Sequence, residues 1–292
     1  MTDWDEDDYY IIEKSSMWLI DVDLIRPSTT LNIQKKLNPG VYVVDHERTI
    51  GVFCKKVEVN TDELYELEPT IVTGLFEQIS NFWDKKELYK ENNLLHKRGI
   101  LLEGPPGNGK TSIISQLSKQ IIDRNGLVFL VSNNTNLNTF VEFIVNNFRS
   151  IEPDTPIITV LEDIDKYSNS EVILDFLDGK TNIEHQIIIC TSNNTENIPD
   201  TFLRPSRIDL RIEITYPSES VRRKYFTKKG VIDELLDVLT KESEGLSMAD
   251  LKELYISIFL LDIPLEEAVE RIKKPKEKIN YIDKKPVRHI GV

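Results

Sequence analysis

Cysteine is almost missing from this chain: Cys54 and Cys190 are the only two in 292 residues, which excludes a disulfide-stapled framework. Both sit in strand-like apolar runs and read as core thiols in a reducing compartment. No apolar stretch approaches the roughly 20 residues needed to cross a bilayer. The acidic start, Asp3 to Asp8, lacks the basic region that opens a secretory signal. The reading is a cytoplasmic protein with no membrane partner. Positive charge is also in deficit, with 36 Lys and Arg against 49 Asp and Glu, so the molecule as a whole is a poor match for bare nucleic acid. The exception is the end of the chain, where Arg271, Lys273, Lys274, Lys276, Lys278, Lys284, Lys285 and Arg288 face only Glu277 and Asp283. No internal repeat or low-complexity segment stands out. What remains is an ordinary mixture, 40% hydrophobic and 29% charged, in a chain long enough for one large domain and one or two small ones.

Against that background one loop organises the sequence, Gly104-Pro105-Pro106-Gly107-Asn108-Gly109-Lys110-Thr111. It follows the apolar run Gly99 to Glu103 and leads into Ser112 to Leu117, whose apolar residues recur at helical spacing. Strand, glycine loop and helix in that order form the context a phosphate-binding loop needs. The glycines allow backbone N–H groups to turn inward on phosphate oxygens, at a helix N-terminus that favours an anion. The candidate nucleotide-binding residues are therefore Pro106, Gly107, Asn108, Gly109, Lys110, Thr111 and Ser112. Lys110 reaches the β- and γ-phosphates of ATP, and the Thr111 hydroxyl is a ligand for Mg²⁺.

Further apolar runs read as parallel strands: Leu127 to Val131, Ile157 to Leu161, Gln186 to Cys190 and Leu210 to Ile214. The third strand ends on Glu162-Asp163-Ile164-Asp165, acids that emerge beside the phosphate loop if all strands present their C-terminal ends to one crevice. A carboxylate there can hold the magnesium shell, while a neighbour orients a water for attack on the γ-phosphate. Asn193, after the next strand, is level with them. Arg204 and Arg207 lie in a loop before the last strand. Thr70 to Tyr89 fits an amphipathic helix, and Thr139 to Phe148 a second one. Upstream, Met17 to Ile20, Gly40 to Val44 and Ile50 to Cys54 are β-prone, so residues 1–66 read as a small β-rich module. From Ser218 the pattern is helical: 221–229, 231–239, 248–261 and 265–272, with Ser247 placed to cap the third of these.

Taken together these motifs resemble the AAA+ ATPases, in the AAA branch that carries a second region of homology. Gly104 to Thr111 is similar to Walker A, with Asn108 where Thr is commoner. Glu162 to Asp165 stands where the family has Asp-Glu-x-Asp, Thr191-Ser192-Asn193 resembles its Thr-Thr-Asn, and Leu203 to Asp209 resembles Leu-Arg-Pro-Gly-Arg-Phe-Asp. Gly245 to Leu251 looks like the small-domain signature Gly-x-Ser-x-Ala-Asp-Leu. Within the family the look is nearest to phage and bacterial AAA ATPases, with the swapped Glu-Asp order also found in the mitochondrial ATPase that assembles respiratory complex III.

The resemblance implies an α/β fold. A parallel five-stranded P-loop sheet flanked by helices would occupy residues 67–216, a small helical domain 217–273 and a basic tail 274–292. It implies a homo-oligomeric ring, usually a hexamer, that hydrolyses ATP with Mg²⁺ to remodel a protein or complex. Glu162 is then the metal-side acid, Asp163 the group that polarises water for attack on the γ-phosphate and Asn193 the first sensor residue, while Arg204 and Arg207 act across the interface on the neighbour's phosphate. Residues 132–140 lack the aromatic–aliphatic–glycine loop of threading unfoldases. Ser206 replaces a glycine, with little consequence expected. Two other readings stay open: a slow ATP-dependent assembly switch, motivated by the short Asp163 side chain, and a nucleic-acid loader, motivated by the basic tail.

Overall fold

The computed structural model describes residues 17–21, 24–28, 35–47, 51–58, 69–131, 136–167, 170–181, 183–194, 196 and 198–274. Strands β1 (Met17–Asp21) and β2 (Leu24–Ser28) form a separate antiparallel hairpin. The other described strands are β3 (Gly40–Glu47), β4 (Gly51–Val57), β5 (Lys97–Glu103), β6 (Leu127–Val131), β7 (Ile157–Leu161), β8 (Gln186–Ser192) and β9 (Leu210–Glu213). They build one sheet in the order β4-β3-β6-β7-β8-β5-β9, parallel throughout except for β4. The expected sheet of five strands is therefore a sheet of seven.

The two additional strands come from the segment read as a separate module. Strands β3 and β4 are not set apart from the main sheet: Gly40 to Val44 pair with Leu127 to Val131 in parallel register. Val41 and Val44 are buried like any core strand, at 4% and 0% exposure. β-propensity was legible there, but a strand pairs wherever its apolar face finds cover. The junction is fastened by Glu152, only 4% exposed, whose Oε1 accepts from the Leu37 N–H at 2.7 Å and whose Oε2 accepts from Thr155 Oγ1 at 2.7 Å. Glu152→Ala leaves both donors unpaired and should destabilise the protein by about 2 kcal/mol. A denaturant titration that places the variant within about 0.5 kcal/mol of the parent removes this role for Glu152.

The helices are α1 (Pro69–Asp84), α2 (Lys86–Glu91), α3 (Lys110–Ile122), α4 (Leu137–Glu142), α5 (Arg149–Ile151), α6 (Glu171–Asp178), α7 (Glu219–Lys228), α8 (Asp233–Glu242), α9 (Met248–Phe259) and α10 (Leu265–Lys273). The expected helix over 70–89 is broken at Lys85, and the one over 139–148 passes into a π-helical stretch, Phe143–Phe148. One sheet face packs on α1 and α3 through Leu75, Ile79, Ile113 and Leu117; the other packs on α4, the π-helical stretch and α6 through Phe140, Phe148, Ile173 and Phe176. Ile187 to Cys190, in mid-sheet, are all 0% exposed, the signature of a strand covered on both faces. Helices α7 to α10 have their own core around Phe226, Leu239, Leu251 and Leu254.

Where α1 meets the sheet, His96 stacks on Phe82 with ring centroids 4.0 Å apart. His96 Nε2 lies 2.9 Å from the Phe82 carbonyl, so it carries the proton; Nδ1 then accepts from His185 Nδ1 at 3.0 Å. Burial, reinforced by Lys86 and by His96 itself, pushes His185 down to about 3, and burial lowers His96 as well. Because the folded value lies below that of the unfolded chain, the unfolded state binds more protons between pH 6.5 and about 3. Stability is fully present above pH 6.5 and falls as pH drops through that window. A Tm series from pH 7.5 to 5.5 should decline in the parent and decline less in His185→Gln; parallel slopes would exclude the pair as the cause.

Candidate active site

The phosphate loop lies between the end of β5 and the start of α3. Neighbouring registers bring Glu103 beside Ser192, and Leu161 beside Cys190. The residues after β5, β7 and β8 therefore emerge together at one edge of the sheet. They enclose a cavity of about 310 Å³ lined by Pro106, Gly107, Gly109, Lys110, Thr111, Ser112, Glu162, Asp163, Thr191, Asn193 and Ala249. Ten of these eleven belong to motifs singled out in the sequence for phosphate chemistry; the eleventh, Ala249, comes from the helical region.

Helix α3 starts at Gly109, held in the left-handed region at φ +97°, and has no side-chain cap, whereas Asn136, Ser170, Ser218 and Ser247 cap α4, α6, α7 and α9. An uncapped N-terminus with a lysine in its first turn is electrostatically unfavourable by itself. A bound anion reverses the sign of that arrangement. Lys110 Nζ now donates to Gly104 O at 2.6 Å, Pro105 O at 3.2 Å and Asn193 Oδ1 at 2.7 Å. Burial lowers its pKa, with Asp163 opposing.

Asp163 stands at φ +51°, a left-handed conformation that Asp tolerates better than most residues. Its N–H donates to Thr191 Oγ1 at 3.1 Å, its Oδ1 accepts from Asn193 Nδ2 at 3.2 Å, and its Oδ2 accepts from Lys166 Nζ at 2.6 Å. Lys110, Asn193 and Asp163 thus form one hydrogen-bonded chain across the cavity. Glu162 is exposed and, like Thr111, lines the cavity. Among the described residues no cluster of three or more His, Cys, Asp or Glu could hold a metal ion. Among the oxygen donors that line the cavity, the Thr111 hydroxyl and the Glu162 carboxylate fit Mg²⁺, which takes few protein ligands and completes its shell with phosphate and water.

Arg204 and Arg207 are not part of this cavity. Their turn docks on the N-terminal half of β5, where Asp209 N–H donates to Gly99 O and Asp209 Oδ2 accepts from Gly99 N–H, both at 2.8 Å. A Cβ at Gly99 would fall 1.7 Å from Arg207 O, so the approach needs glycine. From Gly99 to the phosphate loop the strand covers about 16 Å at 3.3 Å per residue, beyond the reach of an arginine. Arg207 is engaged within its own subunit: Nε and Nη2 donate to Asp178 Oδ1 and Oδ2 at 2.7 and 2.6 Å, and Nη1 donates to Thr201 O at 2.5 Å. The pair holds the Asp178 carboxyl below, and the Arg207 guanidinium above, their ordinary values. Beneath them the buried Lys97 ammonium donates to Leu177 O and, at 2.5 Å, to Ser206 O. Arg204 is exposed.

Ser206 adopts φ +75°, so the replacement of glycine is not neutral: an L-residue there is strained by about 1 kcal/mol. Its N–H bonds Asp209 Oδ1 and its carbonyl accepts from Lys97, contacts a glycine keeps. Ser206→Gly should therefore raise Tm by about 2 °C, read by calorimetry; a lower Tm would contradict the strain.

Residues 100–216 match the family described as "ATPase family associated with various cellular activities (AAA)". This part of the chain is an AAA ATPase domain. Over 278 residues the chain is 28% identical to a 26S proteasome regulatory subunit 4 homolog of Encephalitozoon cuniculi, covering 84% of this chain and 63% of that protein. It is 26% identical over 298 residues to a probable 26S proteasome regulatory subunit 10B of Caenorhabditis elegans, covering 89% and 71%. It is 27% identical over 331 residues to a protein of Bifidobacterium dentium named "AAA ATPase forming ring-shaped complexes", covering 93% and 62%. The chain thus spans between 62% and 71% of the length of these three relatives.

Two features of the AAA site were missed in the sequence. Lys166 stands three residues after Asp163, a spacing that joins side chains in any helical turn; here a 3-10 turn, Ile164–Tyr167, achieves it. Ala249 lines the cavity from a helix about 140 positions beyond the phosphate loop; its signature, Gly245 to Leu251, reads as part of the helical domain and not as part of the site.

Proposed function

We propose that this chain is the protomer of a homo-oligomeric ring, hexameric by analogy, that hydrolyses Mg²⁺-ATP to remodel a protein or macromolecular complex. The observation that carries the reading is the Lys110–Asn193–Asp163 chain across the cavity, facing an uncapped helix N-terminus. In this reading Lys110 and the backbone of 106–112 bind the triphosphate, while Thr111 and Glu162 would hold Mg²⁺, which would supply neutralisation of phosphate charge. Asp163, oriented by Thr191 and Asn193, takes a hydrogen bond from the attacking water. Arg204, exposed on a turn that docks at Gly99, about 16 Å along β5 from the phosphate loop, serves the phosphate of the next subunit. A relative named for ring-shaped complexes supports assembly. Purified protein with Mg²⁺-ATP should release phosphate well above a Lys110→Ala control and gain mass on adding ATP; no release in the assembled state would end the reading.

A second reading, an ATP-held assembly switch with slow turnover, is favoured by the contact of Lys166 with Asp163 Oδ2, which occupies the carboxylate that must face water. Turnover of several per second per subunit would exclude it. The support named for a nucleic-acid loader, the basic stretch beyond Lys274, lies outside the described residues, as do residues 132–135 of the loop compared with threading unfoldases.

A further inference from the structure

An α-helix begins with four N–H groups that have no partner inside the helix. At the start of α9 all four are accounted for, and only half of them by the helix itself. Ser247 N–H donates to Asp250 Oδ2 at 3.0 Å and Asp250 N–H to Ser247 Oγ at 3.2 Å, a reciprocal capping box. The other two reach across 140 positions to the phosphate loop: Met248 N–H donates to Asn108 Oδ1 at 3.3 Å, and Ala249 N–H to Gly107 O at 3.1 Å.

The fit is close on both sides. Gly107 has φ +80°, and a Cβ there would come within 3.0 Å of both Ala249 Cβ and Ser247 Oγ. Asn108 is 1% exposed, and its Nδ2 is buried without a hydrogen-bond partner. A half-satisfied buried amide is costly, so its retention points to the one bond it makes. The same loop turn that presents N–H groups to phosphate therefore completes the helix from which Ala249 lines the nucleotide cavity.

We propose that Asn108 is a positioning residue that fastens α9 to the phosphate loop, so that phosphates ordering residues 107–109 also steady the helical region over the nucleotide. This rests on nucleotide binding at that loop as proposed above. Two variants test it in the full chain. In the parent, amide hydrogen exchange at Met248 and Ala249 should slow at least tenfold when a slowly hydrolysed ATP analogue binds. In Asn108→Ala that slowing should fall below threefold at saturating analogue. A merely structural role would speed exchange equally with and without nucleotide, and that outcome overturns the proposal.

The second variant removes the donor. Proline is well tolerated at the first helical position, and Ser247, at φ −73° and ψ 165°, already has the extended backbone that a following proline requires. Asn108→Ala alone should lower ATP turnover at least fivefold, but no more than twofold in a Met248→Pro background. Fully additive losses overturn the coupling. A parent that binds nucleotide while its α9 amides ignore it overturns the coupling alone. A parent that binds no nucleotide takes the site reading down with it.

Discussion

Arg204→Ala should slow phosphate release from the assembled protein by about 10³-fold or more and leave Tm unchanged. The guanidinium is exposed, so its loss uncovers nothing inside the subunit. The rate effect follows from its distance to its own phosphate loop: a group that cannot stabilise the charge developing in its own site can do so only in a neighbour's. Arg207 should behave differently. Its three donor nitrogens are committed to Asp178 and Thr201 O, with the side chain 13% exposed. Arg207→Ala and Asp178→Ala should each lower stability by about 2 kcal/mol, since each leaves a charged partner uncompensated, and both should slow the assembled enzyme by displacing the turn that carries Arg204. Phosphate release and thermal melts on the three variants separate the roles. Arg204→Ala slowing a forced monomer as much as the assembly would contradict action across an interface, and an Asp178→Ala variant matching the parent in both measurements would contradict the strut.

Lys110→Ala and Asp163→Asn should divide binding from chemistry. Lys110 is the one ammonium among the residues lining the cavity, and it faces three oxygen acceptors that phosphates can replace. Charge-assisted bonds of that type contribute about 1.5–3 kcal/mol each, so the alanine variant should lose ATP affinity by about 100-fold or more. Without nucleotide its Tm should stay near that of the parent, and the rise in Tm that saturating ATP produces by linkage should vanish. Asp163→Asn keeps the backbone bond to Thr191 and an oxygen for Asn193, but loses the negative charge that draws the proton of the attacking water. Turnover should fall about 10²–10⁴-fold with the ATP-induced rise in Tm intact. Loss of the thermal response in Asp163→Asn, or its survival in Lys110→Ala, would reverse the two assignments.

The cavity was legible because its residues lie at strand ends. Parallel strands deliver whatever follows them to one edge, so Gly104–Ser112, Glu162, Asp163 and Asn193 could be gathered without coordinates. Helices α7 to α10 were found within a few residues of their ends for a similar reason, since apolar spacing and the Ser247 cap are local signals. The extension of the sheet by β3 and β4 was not legible. Their residues read correctly as strands, but partner choice depends on Glu152, more than 100 residues away, and on an apolar face that several arrangements could have covered. The strain at Ser206 escaped notice because a serine declares its φ only once Asp209 and Lys97 have fixed the turn.

Short consecutive runs of residues were enough to carry the resemblance to AAA ATPases and to gather the 104–111 loop and the acids after β7 at one cavity. Only the tertiary structure decided that β3 and β4 belong to the same sheet, that Arg207 is committed to Asp178 while Arg204 is exposed, and that α9 is completed by the phosphate loop. The physical reason is the range of the interactions involved. Helix periodicity, capping and strand-end motifs are set within a few residues, whereas ion pairs, buried amides and strand order are settled by groups that meet only after the chain has folded.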